Sequence, residues 1–197
     1  MKNRQRTLRI TQLGLLVALE LILGLTPLAF IMIPPVSITL LHIPVIIGGI
    51  LLGPTDGIIL GGVMGITSMI KATTGATSPI DIAFSPFLSG NPIASILVAL
   101  VGRILLGLSA ALLYRLFLKT KLAPSWCIAL SAVLASIIHT VSVLGLLVLL
   151  FPQLGMGLIV VLLTILSLNG ALEIIVAGVV ATAVCKPLLK YFNSNAR

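Results

Sequence analysis

The side chains able to do chemistry are few: four acids, twelve bases and two histidines in 197 residues. Enzymes need a nucleophile beside a base, paired acids or a metal-binding cluster, and neither an HExxH motif nor an acid-rich pair occurs. Cys127 and Cys185 form no CxxC motif, so packing is their expected role. No Walker-type Gly-Lys-Ser/Thr loop is present, so the chain does not bind ATP by that route. No catalytic residue, metal site or cofactor is therefore expected. What the polar residues could do is bind. Lys71 and Arg103 stand apart from the other cations; His42 and His139, and Asn169 with Glu173 four residues later, interrupt apolar stretches. Between Lys71 and Pro92 the chain concentrates Thr73, Ser85, Ser89 and Asn91 around Phe84 and Phe87, a mixture suited to a small polar ligand with an apolar part.

The elements that must position these residues are membrane helices. Apolar residues make up 59% of the chain and charged ones 8%, and Ala129 to Phe151 contains no Asp, Glu, Lys or Arg. Six segments of spanning character can be cut: Leu8 to Leu25, Val36 to Gly53, Asp56 to Ile70, Pro92 to Phe117, Trp126 to Phe151 and Gly157 to Cys185. The expected fold class is an all-α integral membrane protein, a single six-helix domain over residues 1–197. The first segment is read as retained rather than as a cleaved signal, because Glu20 interrupts it and no small-residue cleavage site follows. Gly49, Gly53, Gly57, Gly61 and Gly65 recur every four residues across a Gly-Pro-Thr-Asp break, which predicts two closely packed helices.

Charge sets the orientation. Lys2, Arg4, Arg6 and Arg9 precede the first segment, Arg115, Lys119 and Lys121 follow the fourth, and Lys186, Lys190 and Arg197 follow the sixth. Six crossings bring these ten of the twelve cations to one side and predict both termini in the cytoplasm. The net charge of +8 then reports topology and contact with anionic lipid, not a nucleic-acid partner. Arg103, about 11 residues into its segment, falls near mid-membrane, at about the depth of Glu20 and Glu173. A structural ion pair with either acid and direct ligand contact both remain open for it. Serines and threonines in these segments, such as Ser136 and Thr140, are expected to bond mainly to their own helix. His42, just before Pro44, could cap a helix or donate to a ligand.

The block HIPVIIGGILLGPTDGIILGGVMGITSMIKATTG, followed by FSPF and a helix carrying an arginine, resembles the substrate-capturing S components of energy-coupling factor (ECF) vitamin transporters, most closely the pantothenate-binding branch. The resemblance covers essentially the whole chain. It implies high-affinity capture of one vitamin from outside, then docking on a transmembrane coupling subunit that carries two ATPase subunits. In the family, docking uses small residues on the first helix; Gly14 and Ala18 are the nearest match, departing from its alanine pattern. Flavin, thiamine or folate would favour aromatic stacking, yet Trp126, Tyr114 and Tyr191 all fall beside the basic clusters. Pantothenate needs one cation, several hydrogen-bonding groups and modest apolar contact. His42, Lys71, Thr73, Ser85, Phe87, Asn91, Arg103, His139, Asn169 and Glu173 are the expected binding residues, with Lys71 or Arg103 on the carboxylate. Another vitamin (riboflavin, folate, hydroxymethylpyrimidine or pyridoxine), or a small channel or structural role, is the alternative.

Overall fold

The computed structural model describes residues 2–26, 30–33, 36–76, 78–155 and 167–195. In chain order it contains α1 (Lys2–Leu25), a hairpin of β1 (Phe30–Ile33) and β2 (Val36–Thr39), α2 (Ile43–Leu52), α3 (Pro54–Gly75), α4 (Pro79–Ala83), α5 (Pro92–Phe117), α6 (Pro124–Leu150) and α7 (Leu168–Asn195). A 3-10 turn over Pro152–Leu154 follows α6. Proline marks the helix starts, where its missing N–H removes a donor that would be unpaired anyway. Pro54, Pro79, Pro92 and Pro124 each fill the first helical position. Among the described residues five helices are long and apolar enough to cross a membrane: α1, α3, α5, α6 and α7.

The second expected segment is the main correction. Val36 to Thr39 does not extend a helix but pairs antiparallel with β1, in the register Phe30 to Thr39 through Ile33 to Val36. The alternation of β-branched residues in VSIT, after two prolines, favours an extended strand. The remaining helix, α2, has 10 residues, a length of about 15 Å, half the thickness of the hydrocarbon layer. The third segment, expected to stop at Ile70, continues to Gly75, so Lys71 lies inside its last turns rather than beyond its end. Most of the expected start of the sixth segment, at residues 156–166, lies outside the described residues, and α7 runs past Cys185 to Asn195.

The four-residue glycine repeat holds the bundle together. Gly53 turns α2 into α3 with φ +103°, a conformation open to glycine but strained for other residues. Beyond it, α3 crosses α5 antiparallel at backbone contact. A Cβ on Gly57 would lie 2.5 Å from the Gly107 carbonyl oxygen, one on Gly65 would lie 2.8 Å from that of Ala99, and one on Gly61 would collide with the carbonyl of Arg103. Gly102 makes a similar approach to Val143 on α6. Small residues at such crossings maximise dispersion contact where lipid removes any hydrophobic driving force.

At the far end of α3 from Lys71, Arg9 Nε donates to Asp56 Oδ2 at 2.6 Å, tying α1 to the start of α3. Gly24, near the other end of α1, packs against Thr67 and Leu41, so α1 and α3 run parallel with α2 returning between them. The main core cluster joins α2, α3, α5, α6 and α7 through residues such as Val45, Ile46, Leu60, Leu106 and Ile128.

Gly61→Ala is expected to lower the thermal unfolding temperature of the purified protein in detergent, by the cost of overpacking, about 1–3 kcal/mol. Gly62→Ala, where a Cβ meets nothing within 4 Å, is expected to leave it unchanged.

Candidate functional site

The five long helices, the entry to α2 and the α4 segment surround a cavity of about 550 Å³, within the range usual for small-molecule sites. It lies at the end of the bundle away from Arg9, Asp56, Gly53 and Arg115. Helical periodicity builds its walls. From α3 come Met64, Thr67, Ser68, Lys71, Ala72 and Gly75, spaced three and four apart on one face, and from α6 come Ser136, His139, Thr140, Val143 and Leu144 in the same pattern. Gly170, Glu173 and Ile174 of α7, Gly24 of α1, and Leu41 with His42 before α2 complete the sides. Asp81 of α4 and Phe84 just after it cover the mouth.

Arg103 is 8% exposed, eleven residues beyond the start of α5. Side chains on a helix lean toward its N-terminus. Arg103 follows this rule: Nη1 donates to the Val98 and Ala99 carbonyls at 3.2 and 3.0 Å, and the guanidinium carbon lies 4.7 Å from the centroid of the Phe84 ring. Its Nε is buried with no hydrogen-bond partner. Main-chain oxygens and an aromatic face therefore accommodate this charge. Glu20 does not pair with it: its carboxylate is fully buried and neither oxygen has a hydrogen-bond partner. Glu173 reaches the same cavity as Arg103.

The other polar groups are oriented by main-chain carbonyls, of a neighbouring helix for the two histidines and of their own helix for the hydroxyls. His139 Nδ1 lies 3.0 Å from the Gly102 carbonyl oxygen, which can only accept, so the ring donates there and Nε2 of a neutral ring is left as an acceptor. The His42 ring bonds to the main chain at Glu173 and its Nε2 is buried without a partner. Thr67, Ser136 and Thr140 donate to the carbonyls of Val63, Ala132 and Ser136 at 2.9, 2.9 and 3.1 Å. Each hydroxyl keeps its lone pairs for a ligand donor. Lys71 is close enough to Asp81 to feel its charge.

Of the ten expected binding residues, His42, Lys71, Arg103, His139 and Glu173 line the cavity. Asn169 lies in the first turn of α7, and its side chain is outside the described residues. Thr73, Ser85 and Asn91 are used instead to fold the connection between α3 and α5. Ser85 is fully buried; its Oγ meets Thr73 Oγ1 at 2.9 Å and accepts from Leu88 N, while its carbonyl accepts from Ser95 Oγ at 3.2 Å. Asn91 caps α5, its Oδ1 accepting from Ala94 N at 3.2 Å. Phe87 is 83% exposed, because the tight turn around Ser85 sends the two phenylalanines of FSPF in different directions and leaves Phe84 on the cavity. Phe84, Asp81, Thr67 and Ser68 are lining residues absent from the expected set. Stepping three and four residues back from Lys71 reaches Thr67 and Ser68, so that pair had a sequence signal; Phe84 had none to separate it from Phe87.

These features define a class: a polytopic helical membrane protein with a partly polar cavity at one end of the bundle. The family described as "ECF transporter, substrate-specific component" matches residues 8–185, and the chain belongs to it. It is also 34% identical over 168 residues, 82% of either chain, to the pantothenic acid transporter PanT of Lactococcus lactis subsp. cremoris (strain MG1363). The protein is accordingly a multi-pass protein of the bacterial cytoplasmic membrane and the substrate-specific part of a transporter.

Two outcomes follow from these contacts. Ser85→Ala is expected to cost about 1–3 kcal/mol by leaving Leu88 N without its acceptor and cutting the hydroxyl link to Thr73, and to make the 84–91 connection cleave faster under limited proteolysis. Glu20→Leu, which removes two unpartnered oxygens from an apolar setting, is expected to leave the unfolding temperature in detergent unchanged or raise it.

Proposed function

We propose that this chain captures pantothenate from outside the cell and hands it to an ATP-driven coupling module for import. The observation that carries the reading is the state of Arg103: its side chain lines the cavity, Nη1 is spent on main-chain carbonyls, and Nε, on the opposite edge, is buried without a hydrogen-bond partner. A guanidinium edge of this kind pairs with a planar carboxylate through two parallel bonds. The acceptor hydroxyls of Thr67, Ser136 and Thr140 and the unpartnered ring nitrogens of His42 and His139 suit the hydroxyl and amide donors of the same molecule. Val143, Leu144 and Ile174 suit its gem-dimethyl group. The name of the Lactococcus relative points to the same substrate. Lys71, drawn to Asp81, has the lesser share of the carboxylate, and Asn169 and Glu173 act on the polar body of the ligand.

The topology proposed with it has six crossings and cytoplasmic termini within one membrane domain, the short α2 completing its pass together with the hairpin that precedes it. Nearly all cations then lie at the cytoplasmic end and the cavity opens to the outside. Gly14 and Ala18 are exposed on the outer face of α1, with open space beyond the Gly14 Cα, beside exposed Leu15, Leu19 and Ile22. That face is the proposed dock for a transmembrane coupling subunit, which in turn carries two ATPase subunits.

Calorimetric titration of the chain purified alone in detergent is expected to give tight one-to-one binding of pantothenate, and none of riboflavin, folate, thiamine or pyridoxine. Arg103→Met is expected to weaken it about a hundredfold or more, and Lys71→Met less. Folded Arg103 and Lys71 variants that both keep wild-type affinity would remove the carboxylate assignment, and tight binding of another vitamin would replace the substrate.

A further inference from the structure

The cation at the heart of the site sits under an aromatic ring that itself belongs to a covering segment, and that segment is fastened in an unusual way. A capping box opens α4: Ser78 Oγ accepts from Asp81 N at 3.1 Å and Asp81 Oδ2 accepts from Ser78 N at 3.0 Å. One helical turn later the chain reaches Phe84, so Asp81 and Phe84 share the face turned to the cavity. The next residue, Ser85, is held by Thr73 of α3 and Ser95 of α5 at once, inside the protein. Phe84 is thus fixed from both sides over the Arg103 guanidinium, 4.7 Å from ring centroid to carbon.

An arginine side chain has many rotamers and five donors, and it selects a carboxylate over a neutral polar group only if its plane is held still and kept dry. The Val98 and Ala99 carbonyls hold one nitrogen of the plane. They do not stop rotation about that anchor. The ring does: its electron-rich face attracts the cation and covers one side of it.

We infer that Phe84 is a positioning residue that sets the preference of the site for a carboxylate, by holding the Arg103 guanidinium beneath its ring at the wall of the cavity. Lys71 offers no such selection, since an ammonium is a flexible point charge and this one faces Asp81. The inference rests on pantothenate as the ligand and adds the group that distinguishes it from its uncharged relatives.

The test compares affinity for pantothenate with affinity for pantothenol, the same molecule carrying CH2OH in place of the carboxylate, in the full chain purified in detergent. Phe84→Tyr is expected to keep the wild-type ratio of the two affinities. Phe84→Leu and Phe84→Met are expected to reduce pantothenate affinity about five- to thirtyfold and leave pantothenol affinity near wild type. Should the aliphatic variants fail to fold, successive fluorination of the Phe84 ring keeps its shape while draining its electron density, and pantothenate affinity is expected to fall with each fluorine. A flat fluorine series, or an equal loss for both probes in a folded aliphatic variant, would reduce Phe84 to packing and overturn the inference while pantothenate capture stands. A wild-type chain that binds neither probe would overturn both.

Discussion

The backbone contact between α3 and α5 is the constraint on which the rest of this molecule depends. Gly57, Gly61 and Gly65 face Gly107, Arg103 and Ala99 at a separation that leaves no room for a Cβ on α3. Two helices that approach so closely cannot slide or rotate far past one another, because ridges on each would meet backbone on the other. The crossing passes through the main chain of Arg103 itself, so the arginine that faces the cavity is fixed at its root. The face of α3 that carries Thr67, Ser68 and Lys71 is fixed by the same contact.

A buried cation in a membrane bundle is often rationalised by a buried acid. This structure uses a different solution. Arg103 meets two carbonyls at the N-terminal side of its own helix and the face of Phe84, while Glu20 stays elsewhere with neither oxygen paired. An arginine held by neutral dipoles and a ring keeps a charge that a paired acid would neutralise, which is what the proposed carboxylate contact requires. The serines and asparagine between α3 and α5 do their work one step removed, by shaping the cover that brings Phe84 to that position.

The first helix is held differently. Its inner face is fastened at one end by Arg9 to Asp56 and at the other by the seat of Gly24 on Thr67, with the unpartnered Glu20 between them. Its outer face shows Gly14, Leu15, Ala18, Leu19 and Ile22. Between those ends Leu13, Leu16 and Val17 pack against the core, so the inner face of α1 is held along its length while its outer face stays free of contacts within the described residues.

The sequence by itself determined the membrane class, the helical bundle and the presence of a close-packing glycine face, because hydropathy, proline positions and a four-residue glycine period are local signals that every conformation of the chain carries; that the glycines of α3 meet α5 was decided by the tertiary structure. It also set Arg103 and Lys71 apart from the other cations, and five of the ten residues it singled out line the cavity. What only the tertiary structure decided was which way each polar group turned. Val36 to Thr39 reads as apolar enough for a helix, and its strand partner at Phe30 to Ile33 made it a hairpin. Phe84 and Phe87 are equivalent in FSPF until the buried hydroxyl of Ser85 finds Thr73 and its carbonyl finds Ser95. Glu20 and Arg103 share a depth along the chain, yet depth says nothing of azimuth, and azimuth around a helix is set by the neighbours packed against it.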